Sequence, residues 1–118
     1  MYTDASLTGF GVIVFTEDGQ VLKLSGRWSR LEARRRIEEL EAMAVDRGIR
    51  HFSDILGGHA VDLFVDNTSV RGALRRGYSR SYHLDKRIEE IRRARQDTGI
   101  VELTCTYVHT KDNIADDL

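Results

Sequence analysis

The sequence predicts an α/β fold, a mixed five-stranded sheet with helices packed against it. An early hairpin of β-rich apolar runs gives the antiparallel part. A later alternation of short strands with helix-patterned stretches gives the parallel part. The length of 118 residues suits one domain built on one core, spanning 1–118.

The elements follow in order. Asp4 belongs to a first strand, joined through a bend at Leu7-Thr8-Gly9 to the run Gly-Phe-Gly-Val-Ile-Val-Phe at 9–15. Asp18-Gly19 lies between that run and the alternating Val21-Leu-Lys-Leu-Ser25, a strong hairpin signal. Trp28 is expected to pack near the end of this strand. Ala33, Ile37, Leu40 and Ala44 recur at helical spacing, which predicts a helix over 31–47. The stretch from His51 to His59 reads as a glycine-containing loop. Val61–Val65 is a short strand, and Asn67 to Leu74 opens a helix at once. A further helix over 81–97 carries Leu84, Ile88 and Ile91 on one face and stops at Gly99. Residues 101–108 form the last strand, 109–113 a loop, and Ile114 opens a closing helix.

Composition excludes several classes. No apolar run approaches the roughly 18 residues of a membrane helix, and no secretory signal is present. The single Cys105 rules out an internal disulfide and a cysteine-clustered zinc site, and it fits an intracellular, reducing compartment. Net charge is -1, yet nine Lys/Arg face three Asp/Glu between Arg71 and Arg95, so a basic surface can sit beside an acidic site. Met1 stands three residues before Asp4, and Asp117-Leu118 ends the chain where a helix is starting. The chain is therefore expected to be cut at both ends from a larger polyprotein.

Four acids carry the chemistry. Asp4 lies on the first strand, Asp66 ends a strand, and Asp116 opens the closing helix. On the helix, with Ile37 at zero, Glu41 falls at about 40°, beside the apolar stripe, whereas Glu39 falls at about 200°, on the opposite face. A carboxylate directed toward a core is costly unless something positive needs it. Asp4 and Asp66 on parallel neighbours would lie side by side, with Glu41 facing them from the helix. Clustered carboxylates repel, and two divalent cations relieve that repulsion. Such a pair can activate a water and stabilise a leaving oxygen in phosphodiester hydrolysis. All-oxygen ligation suits Mg²⁺, with Mn²⁺ as a substitute. Each acid also has a plainer role open to it. Asp66 can cap the following helix, Asp116 can favour a helix dipole, Asp4 can serve a turn, and Glu41 can pair with an arginine.

Four ordered segments resemble a ribonuclease H domain. They are Tyr-Thr-Asp4-Ala-Ser with Gly-Phe-Gly-Val-Ile-Val; Ile37-x-x-Leu-Glu41-x-x-Ala; Phe-Val-Asp66-Asn-Thr-Ser-Val; and His109 with Asn113-Ile-Ala-Asp116-Asp-Leu. The set spans nearly the whole chain. It is most similar to domains attached to the reverse transcriptases of retroelements, especially the tyrosine-recombinase (DIRS-type) group. The resemblance implies a ribonuclease H-like sheet, three antiparallel strands followed by parallel ones. It implies a two-metal nuclease cutting the RNA strand of RNA–DNA hybrids during reverse transcription, with a reverse transcriptase domain in the same polyprotein. Asp4, Glu41, Asp66 and Asp116 take the places of the metal-binding acids, and Glu39 replaces Glu41 if the helix register shifts. His109 takes the place of a mobile histidine that assists proton transfer or product release, its plainer alternative being a strand-end surface residue.

Hybrids are read through backbone shape and 2′-hydroxyls rather than base sequence. The resemblance places Ser6, Asn67, Thr68 and Ser69 near the metals. Arg71, Arg75, Arg76 and Arg80, with Tyr78 and Tyr82 between them, form the expected backbone-binding surface. A competing reading is a catalytically degenerate domain of the same fold that binds or connects. A strand-transfer enzyme on this fold ranks lower, because Glu41 precedes Asp66 instead of following it. A structural domain with no ligand ranks last.

Overall fold

In the computed structural model, which describes residues 1–117, two hairpins and two parallel additions build the sheet. The strands are β1 (Tyr2–Ala5), β2 (Gly9–Phe15), β3 (Val21–Arg27), β4 (Ala60–Val65) and β5 (Glu102–Tyr107). They stand in the order β3-β2-β1-β4-β5. β1–β2 and β2–β3 pair antiparallel, and β1–β4 and β4–β5 pair parallel, as the sequence predicts. The first turn closes where the Ser6 N–H donates to the Gly9 carbonyl at 2.8 Å. At its end, a Cβ on Gly9 would sit 2.4 Å from the Gly26 carbonyl oxygen, so β2 and β3 approach there only because residue 9 has no side chain. Gly19 turns the second hairpin at φ 86°, a conformation that favours glycine.

The helices are α1 (Ile37–His51), α2 (Ser53–Leu56), α3 (Thr68–Arg76) and α4 (Tyr82–Thr98). Ser81 caps α4, accepting the Leu84 N–H, and Gly99 ends it at φ 80°. α1 packs on β1 and β2 with one side and against α4 with the other. The main core lies between, with Val12, Val14, Val45, Ile49, Leu63, Val65, Ile88 and Ile91 almost wholly buried. Among the described residues no helix is long and apolar enough to cross a membrane.

Three boundaries differ from expectation. The helix predicted over 31–47 is split into a 3₁₀ turn at Glu32–Arg34 and α1. Two competing closures explain the break. Ser29 and Glu32 bond each other's backbone N–H groups, and Glu39 reaches back to the Arg36 N–H at 3.3 Å, leaving Arg35 and Arg36 extended. The loop predicted over 51–59 holds the end of α1 and the single turn α2, so only Phe52 and 57–59 lie outside helices. The closing helix is a 3₁₀ turn at Ile114–Asp117, and its expected continuation at Leu118 lies outside the described residues.

Candidate active site

β1 carries Asp4 as its third residue, buried, and the parallel register that sets Tyr2 opposite Phe64 continues to bring Asp4 beside Asp66. β4 stops at Val65, which leaves Asp66 just past the strand end. Glu41 stands one turn into α1 and is 4% exposed. Asp4, Glu41 and Asp66 each offer a carboxylate oxygen, and these atoms all lie within 4.8 Å of one another.

Asp66 owes its freedom to its neighbour. The N-cap of α3 is Asn67, whose side chain accepts the Val70 N–H at 3.0 Å. The capping role open to Asp66 is therefore taken by Asn67, and the Asp66 carboxylate is left for the cluster. Glu41 likewise pairs with no arginine among the described residues, and its Oε2 is buried without a hydrogen-bond partner.

Burial pushes the Glu41 carboxyl up to about 9, reinforced by the charges of Asp66 and then Asp4 and opposed by the Ala5 backbone N–H. Asp4 is pushed up to about 8 by burial first, then by hydrogen bonding with Asp116, then by the charge of Asp66. The cluster thus resists carrying its full negative charge in the absence of a cation. A donor set of hard oxygens with an orphaned buried Oε2 fits a divalent metal such as Mg²⁺ or Mn²⁺.

Asp116 is exposed on the last 3₁₀ turn and stands beside Asp4, outside the tight group of three. Its segment is held by Asn113, which is 3% exposed. The Asn113 Nδ2 donates to the Thr3 carbonyl at 2.9 Å, and its Oδ1 accepts the Ala115 N–H at 3.1 Å. His109 is exposed just before the 3₁₀ turn Thr110–Asp112, and its carbonyl accepts the Asp112 N–H at 2.8 Å. Among the described residues no hydrogen bond or ion pair ties its imidazole to the acids.

Glu39 is a correction. The helical phase puts it opposite the sheet, which holds, but that side is covered by α4 and Glu39 is 4% exposed. It faces Arg87 at 3.8 Å and His83 at 3.9 Å, and it does not join the acidic cluster.

The expected substrate contacts divide between two grooves and a third surface. Ser6 lines a groove of about 340 Å³ with Asp4 and Asp116, where its Oγ accepts the N–H groups of Thr8 and Gly9 at 3.2 Å each. Thr68 and Ser69 line a groove of about 670 Å³ with Arg36, Arg76 and Arg80. Arg76 also lies over the Tyr78 ring, 5.6 Å from its centre. Arg71 and Arg75 turn toward Cys105, where their charge opposes the burial that pushes the thiol up to about 11. Arg71 and Arg75 therefore share one face of α3, toward Cys105, while Arg76 lies on another, with Tyr78 and Arg80.

Three supporting residues carry no obvious signal. The Trp28 indole N–H donates to the Ser6 carbonyl at 2.9 Å, fixing the chain just past Asp4. Arg47 of α1 lies over the rings of Trp28 and Phe10, at 5.0 and 5.4 Å, and pairs with Glu32. Asn113 heads the last of the resembling segments, but its reach to Thr3 has no local signal.

Comparison with known proteins agrees with this geometry. A family model described as the RNase H-like domain found in reverse transcriptase matches residues 1–91. Among solved structures, the chain is similar to RNase H1 of the halophilic archaeon Halobacterium salinarum, at 18% identity and a TM-score of 0.78, covering 98% of this chain and 89% of that one. It is similar to LC11-RNase H1 in complex with an RNA/DNA hybrid, at 20% identity and a TM-score of 0.79, covering 99% and 90%. It is also similar to the N-terminal RNase H domain of a Mycobacterium tuberculosis protein, at 15% identity and a TM-score of 0.77, covering 98% and 90%. No curated protein sequence matches it.

Proposed function

This chain belongs to the family of RNase H-like domains found in reverse transcriptase, and from that membership we propose a metal-dependent endoribonuclease that hydrolyses the RNA strand of RNA–DNA hybrids during reverse transcription. One observation carries the reading: carboxylate oxygens of Asp4, Glu41 and Asp66 converge within 4.8 Å, and among the described residues no basic side chain pairs with them. LC11-RNase H1, of the same fold, has been solved with an RNA/DNA hybrid, which supports the substrate.

Asp4, Glu41 and Asp66 would hold the ions, and Asp116 would complete the set from beside Asp4. Two divalent cations, when bound, supply an activated water and charge stabilisation at the leaving oxygen. Burial of Glu41 shields its side of the cluster from water. Trp28 and Asn113 orient the backbone on either side of Asp4, through the Ser6 and Thr3 carbonyls. His109, exposed on the segment that leads to Asp116, would assist proton transfer or product release. Ser6 would contact the sugar-phosphate backbone, and Asn67 would hold Asp66 in place through its cap.

The partner we propose is a reverse transcriptase domain in the same polyprotein, acting inside the cell. Motif likeness supports the tyrosine-recombinase (DIRS-type) group, and a tyrosine recombinase encoded in the parent reading frame would test that placement. The activity is tested by cleavage of an end-labelled RNA–DNA hybrid with Mg²⁺, Mn²⁺ or EDTA, beside Asp66→Asn. Cleavage that needs metal and disappears in the variant is expected. EDTA-resistant cleavage, or full activity in Asp66→Asn, sinks the metal mechanism. Binding of the hybrid without cleavage would favour the degenerate binding module.

A further inference from the structure

β5 is a free edge of the sheet. It pairs with β4 on one side, and among the described residues no strand stands beyond it. Its outer N–H and C=O groups therefore meet no partner strand. Sheet edges are commonly blunted by basic side chains, proline or a bulge. The opposite edge, β3, carries Lys23 and Arg27. β5 runs in continuous register with β4, carries one charge, Glu102, and belongs to a chain without proline. Val101 just before it and Tyr107 at its end are exposed apolar side chains.

Beside this edge lies a groove of about 410 Å³ between α3, α4 and β5. Leu74, Leu103 and Cys105, each half-buried, give it an apolar floor. Arg75, Arg92 and Arg95 line it as well. Arg71 adds its charge from one turn earlier on α3, and its buried Nε has no hydrogen-bond partner. Among the described residues none of these four arginines pairs with an acid. Two of them are held in place by backbone carbonyls: Arg92 donates to Gly77 at 2.5 Å and Arg95 to Val101 at 3.1 Å. Leu103 and Cys105 face the helices, so Glu102 alternates to the other face of the sheet and leaves the groove's positive charge uncompensated. The whole chain carries a net charge of -1, so this excess is local.

We propose that β5 accepts an extended segment of a partner protein as an added strand, one that lays acidic and apolar side chains over this groove. Main-chain pairing along the free edge supplies affinity, and the groove supplies selection. Side chains two residues apart on one face of the added strand meet the arginines and the apolar floor in turn. A nucleic-acid backbone would use neither the open strand edge nor the apolar floor, which is why a peptide fits better. None of the clustered acids takes part, so the proposal does not depend on the nuclease reading.

The test follows the fluorescence anisotropy of a labelled peptide, Thr-Glu-Thr-Val-Thr-Glu-Thr-Val, titrated with the full chain at about 50 mM salt. A Kd below about 100 µM is expected. Replacing the peptide's Glu residues by Gln should weaken binding about 10-fold, and so should the double variant Arg92→Gln, Arg95→Gln. The double variant Arg92→Lys, Arg95→Lys should keep most of the affinity, and Arg50→Gln on α1 should change nothing. Two further peptides are N-methylated, one at every Thr and the other at every Glu and Val. Alternate N–H groups of a strand face opposite edges, so one of these peptides should bind like the parent and the other should fail. Equal behaviour of the two overturns strand addition. No binding at about 1 mM, or undiminished binding of the Gln peptide, overturns the proposal whether or not the chain cleaves a hybrid. Peptide binding by a chain that never cleaves leaves the proposal standing and removes the nuclease reading. Displacement of the peptide by a lower concentration of RNA–DNA hybrid in EDTA overturns it in favour of a nucleic-acid surface. Tighter binding of dodecanoate than of the peptide overturns it in favour of a small amphipathic anion.

Discussion

Glu41 shows how one side chain can be both legible and unusual. Its helical phase separates it from Glu39, and the fold confirms that only Glu41 faces the two aspartates. The phase could not reveal that Glu39 is equally buried, because a helical wheel sees one partner and α1 has two. The proton balance of Glu41 makes a prediction. Unfolded, it gives up its proton near 4.5; folded and metal-free, it holds it to about 9. Between these values the folded chain binds more protons, so stability is full below about 4.5 and falls as pH rises toward 9. Glu41→Gln should therefore be more stable than the wild type at pH 8 in EDTA, by about 1 to 3 kcal/mol, and nearly equal at low pH. Urea unfolding at both pH values checks this, and a variant that loses stability at pH 8 contradicts it.

At the level of elements, the strands and α4 were readable because alternation, Asp18-Gly19, Ser81 and Gly99 act locally. The split of 31–47 was not, since periodicity runs through Ala33 and Ile37 while paired caps at Ser29–Glu32 and Arg36–Glu39 decide the backbone. What holds the last turn was hidden for a related reason. Its geometry comes from Asn113 reaching across 110 residues to Thr3, a contact no window can contain. Asn113→Ala should cost about 1 to 3 kcal/mol by leaving the buried Thr3 carbonyl unpaired. It should also raise the Mg²⁺ concentration needed for cleavage more than it lowers saturated kcat, because Asp116 loses its tether. A metal titration of both proteins separates the two effects. Gly9→Ala should destabilise by about 1 to 3 kcal/mol through its collision with Gly26, measurable by thermal melting.

For the whole molecule, the order β3-β2-β1-β4-β5 puts β1 at the centre with β4 beside it, so the two strands that carry or precede aspartates are interior. The order of Asp, helical Glu, Asp and Asp along the chain made this site visible, whereas the arginines of α3 were grouped by sequence and separated by space. A site that gathers charge at the centre of the sheet should couple cation binding to global stability. Mg²⁺ at about ten times its dissociation constant should stabilise the wild type by about 1.4 kcal/mol, and Asp4→Asn by far less. Melting curves with and without Mg²⁺ test this, and equal shifts in both proteins would place the ion elsewhere.

Because Asn67, not Asp66, closes the first turn of α3, the chemistry of position 66 is uncoupled from the architecture of the helix behind it. An Asp66→Asn protein should therefore keep its shape while losing its reactivity. That makes it a ready decoy, able to hold an uncut substrate long enough to be isolated with it and to reveal which nucleic acid the native domain meets.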